Sequence, residues 1–202
     1  MSLKQQLESD FESHKRWALR RQMGIGNNRR LWVCACMDER LPVDDALGIR
    51  GDRGDAHVFR NAGGLITDDA IRSAMLSCNF FGTEEIVIIN HTECGMMVCQ
   101  ADTIEKALKG KGIDLDNLQL DPDLPELTLK AGMFGKWVKL YQDVDETCAR
   151  QVEYMRNHPL IPKHVTISGW IWEVETGHLR PPHFRIGDKV NTSKEMSKIE
   201  RH

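Results

Sequence analysis

Two nearly unbroken apolar runs, "RLWVCAC" at 30–36 and "EIVIIN" at 85–90, do most to restrict the folds open to this chain. A strand with one wet face alternates apolar and polar residues. A strand apolar throughout is covered on both faces, as inside a parallel sheet flanked by helices. The segment between the runs supplies such elements. "AHVFRNAG" reads as a strand entering a loop, where Gly63 and Gly64 permit a tight turn. Thr67 reads as a helix N-cap followed by Asp68 and Asp69, and Ile71, Ala74, Met75, Cys78 and Phe81 form the helix's apolar stripe before Gly82 stops it. Pro42 opens a short helix over "VDDAL", and a helix over 145–157 turns Cys148, Val152 and Met155 inward. "HVTISGWIWEVE" alternates as a further strand, while 101–143 is short helical stretches broken by "DPDLP". Leu3, Leu7, Phe11, His14 and Trp17 recur at helical spacing and predict a helix over 3–23. The expectation is an α/β fold with a mainly parallel central β-sheet flanked by helices. It forms one domain over 1–202, with an N-terminal helical arm (1–25) and a charged C-terminal tail (183–202).

Composition narrows the function. A net charge of −3 gives no footprint for nucleic acid or an anionic membrane. No apolar stretch approaches a membrane span, and "MSLKQQLESDFESHKRWALRRQMG" lacks the apolar centre of a secretory signal, so a cytoplasmic protein is expected. Six scattered cysteines do not make a disulfide scaffold, and in a reducing compartment those outside the core are candidates for metal binding or catalysis. Cys34, Cys78 and Cys148 fall in apolar patterns and read as small hydrophobes; Cys99 has no assignment.

The two runs end in residues a core has no use for: Cys36-x-Asp38-x-Arg40 and His91-x-x-Cys94. Ligands of open α/β sheets bind beyond the carboxyl ends of the strands, so adjacent parallel strands would bring Cys36, His91 and Cys94 to one cation. Two thiolates and an imidazole suit tetrahedral Zn²⁺, and three protein ligands leave its fourth position open, as in catalytic sites. Taken singly, Cys36 and Cys94 also fit buried thiols, and His91 a hydrogen-bonded loop histidine. Cys36, Asp38 and Arg40 alternate at period two and should face the same side. Asp38 can then accept a proton beside the metal, while Arg40 grips it in a bidentate fork that keeps it ionised and off the cation. The competing reading makes the metal structural, the pair a surface salt bridge and the chain a non-catalytic zinc-binding module. Two thiolates neutralise most of the cation's charge, so activity is expected to rise with pH.

With these residues in hand, the chain resembles the β-class carbonic anhydrase family, which carries "CMDER" (36–40), "RNAGG" (60–64) and "HTECG" (91–95) in this order. The resemblance implies zinc held by Cys36, His91 and Cys94, with Asp38 and Arg40 as a catalytic dyad. It also implies a homodimer building block for higher homo-oligomers, with the N-terminal helix lying across the partner. Within the family the chain is most similar to the branch that hydrolyses carbon disulfide and carbonyl sulfide. That likeness extends to "NNRRLWV" (27–33), "FFGTEEI" (80–86), "RNHPLIPK" (156–163) and "EVET" (173–176); 101–150 departs from it, and "GIRGDRGDAH" is about two residues longer than expected. The implied reaction is attack of metal-activated water on the central carbon of a linear, gas-like substrate, with carbon dioxide hydration as the alternative.

Selectivity among such substrates would come from an apolar path, for which Met96, Met97, Val98, Phe80 and Phe81 are candidates beside an ordinary packing role. "RGD" at 53–55 reads as a polar surface turn, and Trp170 and Trp172 flank Ile171 as a pair packed on a sheet face or an interface. His158, His164, His178 and His183 lack the spacing for a second metal.

Overall fold

In the computed structural model, residues 2–13 and 20–183 are described. In chain order the helices are α1 (Leu3–Ser13), α2 (Val43–Leu47), α3 (Asp68–Phe80), α4 (Gly95–Val98), α5 (Ala101–Gly110), α6 (Phe134–Val138) and α7 (Val144–Asn157). The strands are β1 (Leu31–Cys36), β2 (Ala56–Asn61), β3 (Glu85–His91), β4 (Leu118–Gln119), β5 (Thr128–Leu129), β6 (Thr166–Glu173) and β7 (His178–Arg180).

Every residue of β1 is buried, as is every residue of β3 after Glu85, which is why both runs lack polar alternation. They pair side by side within a sheet of order β2-β1-β3-β6-β7. β1 lies parallel to β2 and β3, and β3 parallel to β6; only β7 returns antiparallel. The register sets Ala35 opposite Ile89, so the carboxyl ends of β1 and β3 finish together. The expected mainly parallel α/β sheet is the observed one. β4 and β5 form a separate two-residue hairpin, too short to leave a periodic signal.

Alternation along the strands builds a core on each face. Trp32, Cys34, Ile86 and Ile88 pack with Ile71, Ala74 and Cys78 of α3 and Val152 and Met155 of α7. On the other face Leu31, Val33, Ala35, Val87 and Ile89 pack with Leu41, Val43 and Ile49. α3 begins as expected, with the Thr67 hydroxyl accepting from Ala70 N at 3.4 Å. α7 presses on β6 where Gly169 leaves no room: a Cβ there would lie 2.7 Å from both Cys148 Sγ and Val152 Cγ2. We expect Gly169→Ala to cost about 1–3 kcal/mol by overpacking, read as a lower urea midpoint at unchanged slope.

Of the predicted helix over 3–23 the structure describes α1, whose Leu3 and Leu7 are exposed (76% and 58%), and residues 20–23, of which 20 and 21 are helical. His14 and Trp17 lie outside the described residues, as does the tail from residue 184 onward. Among the described residues no helix is long and apolar enough to cross a membrane.

Candidate metal centre

β1 stops at Cys36, and the chain then turns. This corrects one expectation: Asp38 and Arg40 do not continue the strand. They meet because Asp38 Oδ1 accepts the backbone N–H of Arg40 at 2.9 Å, an Asx-type turn that folds the acid back toward its neighbour. The bidentate fork forms all the same, Arg40 Nε donating to Asp38 Oδ1 at 3.1 Å and Nη2 to Oδ2 at 2.9 Å. Arg60 fixes this turn from β2 by donating to the carbonyls of Cys36, Asp38 and Leu41 at 2.9, 2.7 and 3.3 Å.

β3 delivers His91 at its last position, fully buried, and a turn through Glu93 at φ 53° returns the chain to Cys94. The side-chain ligand atoms of Cys36, His91 and Cys94 all lie within 4.8 Å of one another, and the two sulfurs are 3.8 Å apart. It is the only group of three or more metal-competent His, Cys, Asp or Glu side chains among the described residues, and His158, His164, His178 and His183 form none.

The donor chemistry fits a zinc ion. His91 Nδ1 is 2.8 Å from the Thr92 carbonyl, so Nδ1 carries the proton and Nε2 keeps its lone pair. That Nε2 is buried without a hydrogen-bond partner, the state expected of an atom reserved for a cation. At 3.8 Å either sulfur can donate its proton to the other. Donation from Cys36 brings Cys94 down to about 4 against the effect of burial. The same hydrogen bond, together with burial, pushes Cys36 far up. A divalent cation would take that proton's place and hold both as thiolates.

Asp38 Oδ2 lies 3.9 Å from His91 Nε2, so the carboxylate borders the ligand cluster. The Arg40 side chain, then its backbone N–H, lower Asp38 from 3.8 to about 2. Because the folded value is the depressed one, its contribution to stability is complete above the unfolded value and lost as pH falls through about 2. The gap in urea midpoint between the parent and Asp38→Asn is therefore expected to close as pH is lowered from about 4 to about 2. An unchanged gap across that window would contradict the assignment.

Two groups holding the dyad were not anticipated. Glu93 Oε2 accepts from Arg40 Nη1 at 3.0 Å, and Trp172 Nε1 donates to the Arg40 carbonyl at 3.1 Å. Glu93 stands between two candidate ligands in "HTEC" and was findable there; Trp172 reaches Arg40 across the sheet and left no local signal. Trp170 and Trp172 do share a sheet face opposite the buried Ile171.

Of the proposed path residues, Met96 and Met97 pack around the cluster, whereas Val98 is 76% exposed. Phe80 and Phe81 lie elsewhere: α3 runs back along the sheet, so its end meets the amino ends of the strands, where Phe81 packs edge-on to His57 of β2. "RGD" is a turn, but Asp55 is buried and paired with Arg53 at 2.6 Å, so it is more structural than a surface turn. Cys34, Cys78 and Cys148 are buried and Cys99 is exposed.

The family model for carbonic anhydrase matches residues 31–179, from the first residue of β1 into β7. The chain belongs to the carbonic anhydrase family. It is similar to β-carbonic anhydrase 1 of Mycobacterium tuberculosis, with 32% identity over 153 residues, 75% of this chain and 81% of the relative. Similarity is much higher to a carbon disulfide hydrolase of Acidithiobacillus thiooxidans: 94% identity over 196 residues, covering 97% of this chain and 98% of the relative. Among solved structures, the apo form of a carbon disulfide hydrolase matches with a TM-score of 0.75 and 46% identity, covering 94% of this chain and 96% of that one. This carbonic anhydrase fold therefore carries its Cys/His/Cys cluster where the two central strands end.

Proposed function

We propose that the chain is a zinc-dependent hydrolase of carbon disulfide and carbonyl sulfide. The observation that carries this is the 94% identity, over nearly the whole of both chains, to a carbon disulfide hydrolase. In balanced form, carbon disulfide and water give carbonyl sulfide and hydrogen sulfide; carbonyl sulfide and water give carbon dioxide and hydrogen sulfide.

Cys36, His91 and Cys94 would hold zinc, which when bound supplies a Lewis acid that acidifies water and stabilises negative charge developing on the substrate. Asp38, ionised and bordering the cluster, is placed to accept the proton that water gives up. Arg40 keeps that carboxylate from swinging onto the metal, because both oxygens are engaged in the fork. Glu93 and Trp172 hold Arg40 in turn. Met96 and Met97 give the approach an apolar wall suited to a substrate that accepts hydrogen bonds poorly.

Supplying each gas to the zinc-loaded protein, and measuring hydrosulfide against bicarbonate and proton release, tests the reading. Hydrosulfide from carbon disulfide is expected. Hydration of carbon dioxide with no hydrosulfide from either sulfur gas would replace it with ordinary carbonic anhydrase activity, and no turnover at all would leave a zinc-binding module. Asp38→Asn, with zinc retained, is expected to lose about 10²–10⁴-fold in turnover, the usual size of a general-base contribution.

The exposed leucines of α1 support a homodimer in which this helix lies across a partner. Six unpaired cysteines support a cytoplasmic location. The strand order and the two-faced core support a single domain with α1 as its arm.

A further inference from the structure

Two thiolates on one cation create a difficulty for the proposed chemistry, because they cancel the charge that makes the metal a useful Lewis acid. The fold relieves one of them visibly. Gly63 N donates to Cys36 Sγ at 3.3 Å, and Gly63 is held in place from behind. Its carbonyl accepts from Asn90 Nδ2 at 2.7 Å, Asn90 Oδ1 accepts from Gln151 Nε2 at 3.1 Å, and Gln151 Oε1 accepts from Ile66 N at 2.5 Å. Asn90 is fully buried and Gln151 nearly so, so this chain of bonds is sheltered from water.

The other sulfur has a candidate of its own. The Tyr141 hydroxyl is one of two buried side-chain polar atoms among the described residues with no hydrogen-bond partner; the other is His91 Nε2. The ring packs against the clusters that contain Cys36, Cys94 and Cys148, and its Cε1 would lie 3.2 Å from a Cβ on Gly63. A phenol, with an ordinary pKa of about 10, is protonated near neutral pH and has a hydrogen to donate. Cys148 competes poorly as acceptor, since its own thiol is engaged with the Trp170 carbonyl at 3.7 Å and carries no charge.

We infer that Tyr141 is a positioning residue whose hydroxyl donates to the Cys94 thiolate once a metal is bound, so that each sulfur ligand is matched to one hydrogen-bond donor. Gly63 N–H serves Cys36 and Tyr141 O–H serves Cys94. Each bond draws electron density off its sulfur and leaves more positive charge on the cation. Burial makes the arrangement obligatory as well, because a phenol hydroxyl with no partner in an apolar site is costly.

The inference rests on the metal reading of Cys36, His91 and Cys94, and its test separates the two. Cobalt(II) is loaded in place of zinc, and the sulfur-to-cobalt charge-transfer absorption is recorded. In Tyr141→Phe the thiolate loses its donor, so the band is expected to move to lower energy. The chain has only two tyrosines, and Tyr154 is half exposed on α7. In a Tyr154→Phe background, 3-fluorotyrosine therefore places a stronger donor at position 141 alone, and the band is expected to move to higher energy. Tyr154→Phe by itself should leave the band in place, a control that a shift there would spoil, overturning the assignment to position 141. A cobalt-loaded protein whose band ignores both changes overturns the role of Tyr141 while leaving the metal site intact. Should Tyr141→Phe fail to fold, the fluorotyrosine protein decides alone, and an unmoved band there counts against the inference. A parent protein that takes up no cobalt overturns the metal reading itself.

Discussion

Cys94→Ser is expected to purify without stoichiometric zinc and with hydrosulfide release from carbon disulfide lowered by more than about 100-fold, since even outer partners of a metal ligand cost 10–100-fold. Serine is close in size, so the turn through Glu93 and the start of α4 should survive. Its hydroxyl does not ionise near neutral pH, so the site would offer one thiolate and one imidazole where the parent offers two thiolates and an imidazole. Elemental analysis beside a hydrosulfide assay checks both halves. Full zinc occupancy with full turnover would remove Cys94 from the ligand set and leave the 4.8 Å cluster without a function.

Gly64→Ala is expected to have the largest effect on folding. Gly64 sits at φ +61°, and a Cβ there would lie 2.7 Å from the Ile89 carbonyl oxygen and 2.8 Å from Cys36 N. Both obstacles are backbone atoms of the two central strands, so no side chain can swing aside. The left-handed conformation costs roughly 1–2 kcal/mol for a residue with a Cβ, and the overlap adds about 1–3 kcal/mol. A loss of about 2–5 kcal/mol would take much of a typical domain's stability and should show as a large fall in urea midpoint, or as insoluble protein. Wild-type stability in Gly64→Ala would mean that the three-residue turn after β2 can move away from the sheet.

The two central strands were legible because a doubly covered strand leaves no polar residue to confuse the pattern, and β1 and β3 are buried almost end to end. The convergence of Cys36, His91 and Cys94 was legible for the same reason: they stand at or just past the ends of apolar runs that finish in step. The dyad was identified by a geometry that does not hold. Asp38 and Arg40 meet through a turn, and two-residue spacing serves a turn as well as a strand. Tyr141 lay in the segment with no usable periodicity, where β4 and β5 are two residues each and α6 is five. Such pieces are organised by contacts from elsewhere in the chain, and the Tyr141 backbone is tied beside the cluster by its N–H donating to the Met96 carbonyl at 3.4 Å. The N-terminal helix was visible as a pattern, and its Leu3 and Leu7 are exposed among the described residues.

The neighbouring ends of β1 and β3 have a consequence for how the protein would acquire the proposed zinc. One candidate donor comes from the end of the first strand, one from the end of the third and one from just beyond it, with β2 and all of α3 threaded between. No short peptide from this sequence carries the full set, so tight capture of such an ion would have to wait until the two strands are zipped together in register. Metal uptake during refolding would then be a clock for the completed sheet. By mass action, a chelator that stripped such an ion would also weaken the hold between the two central strands.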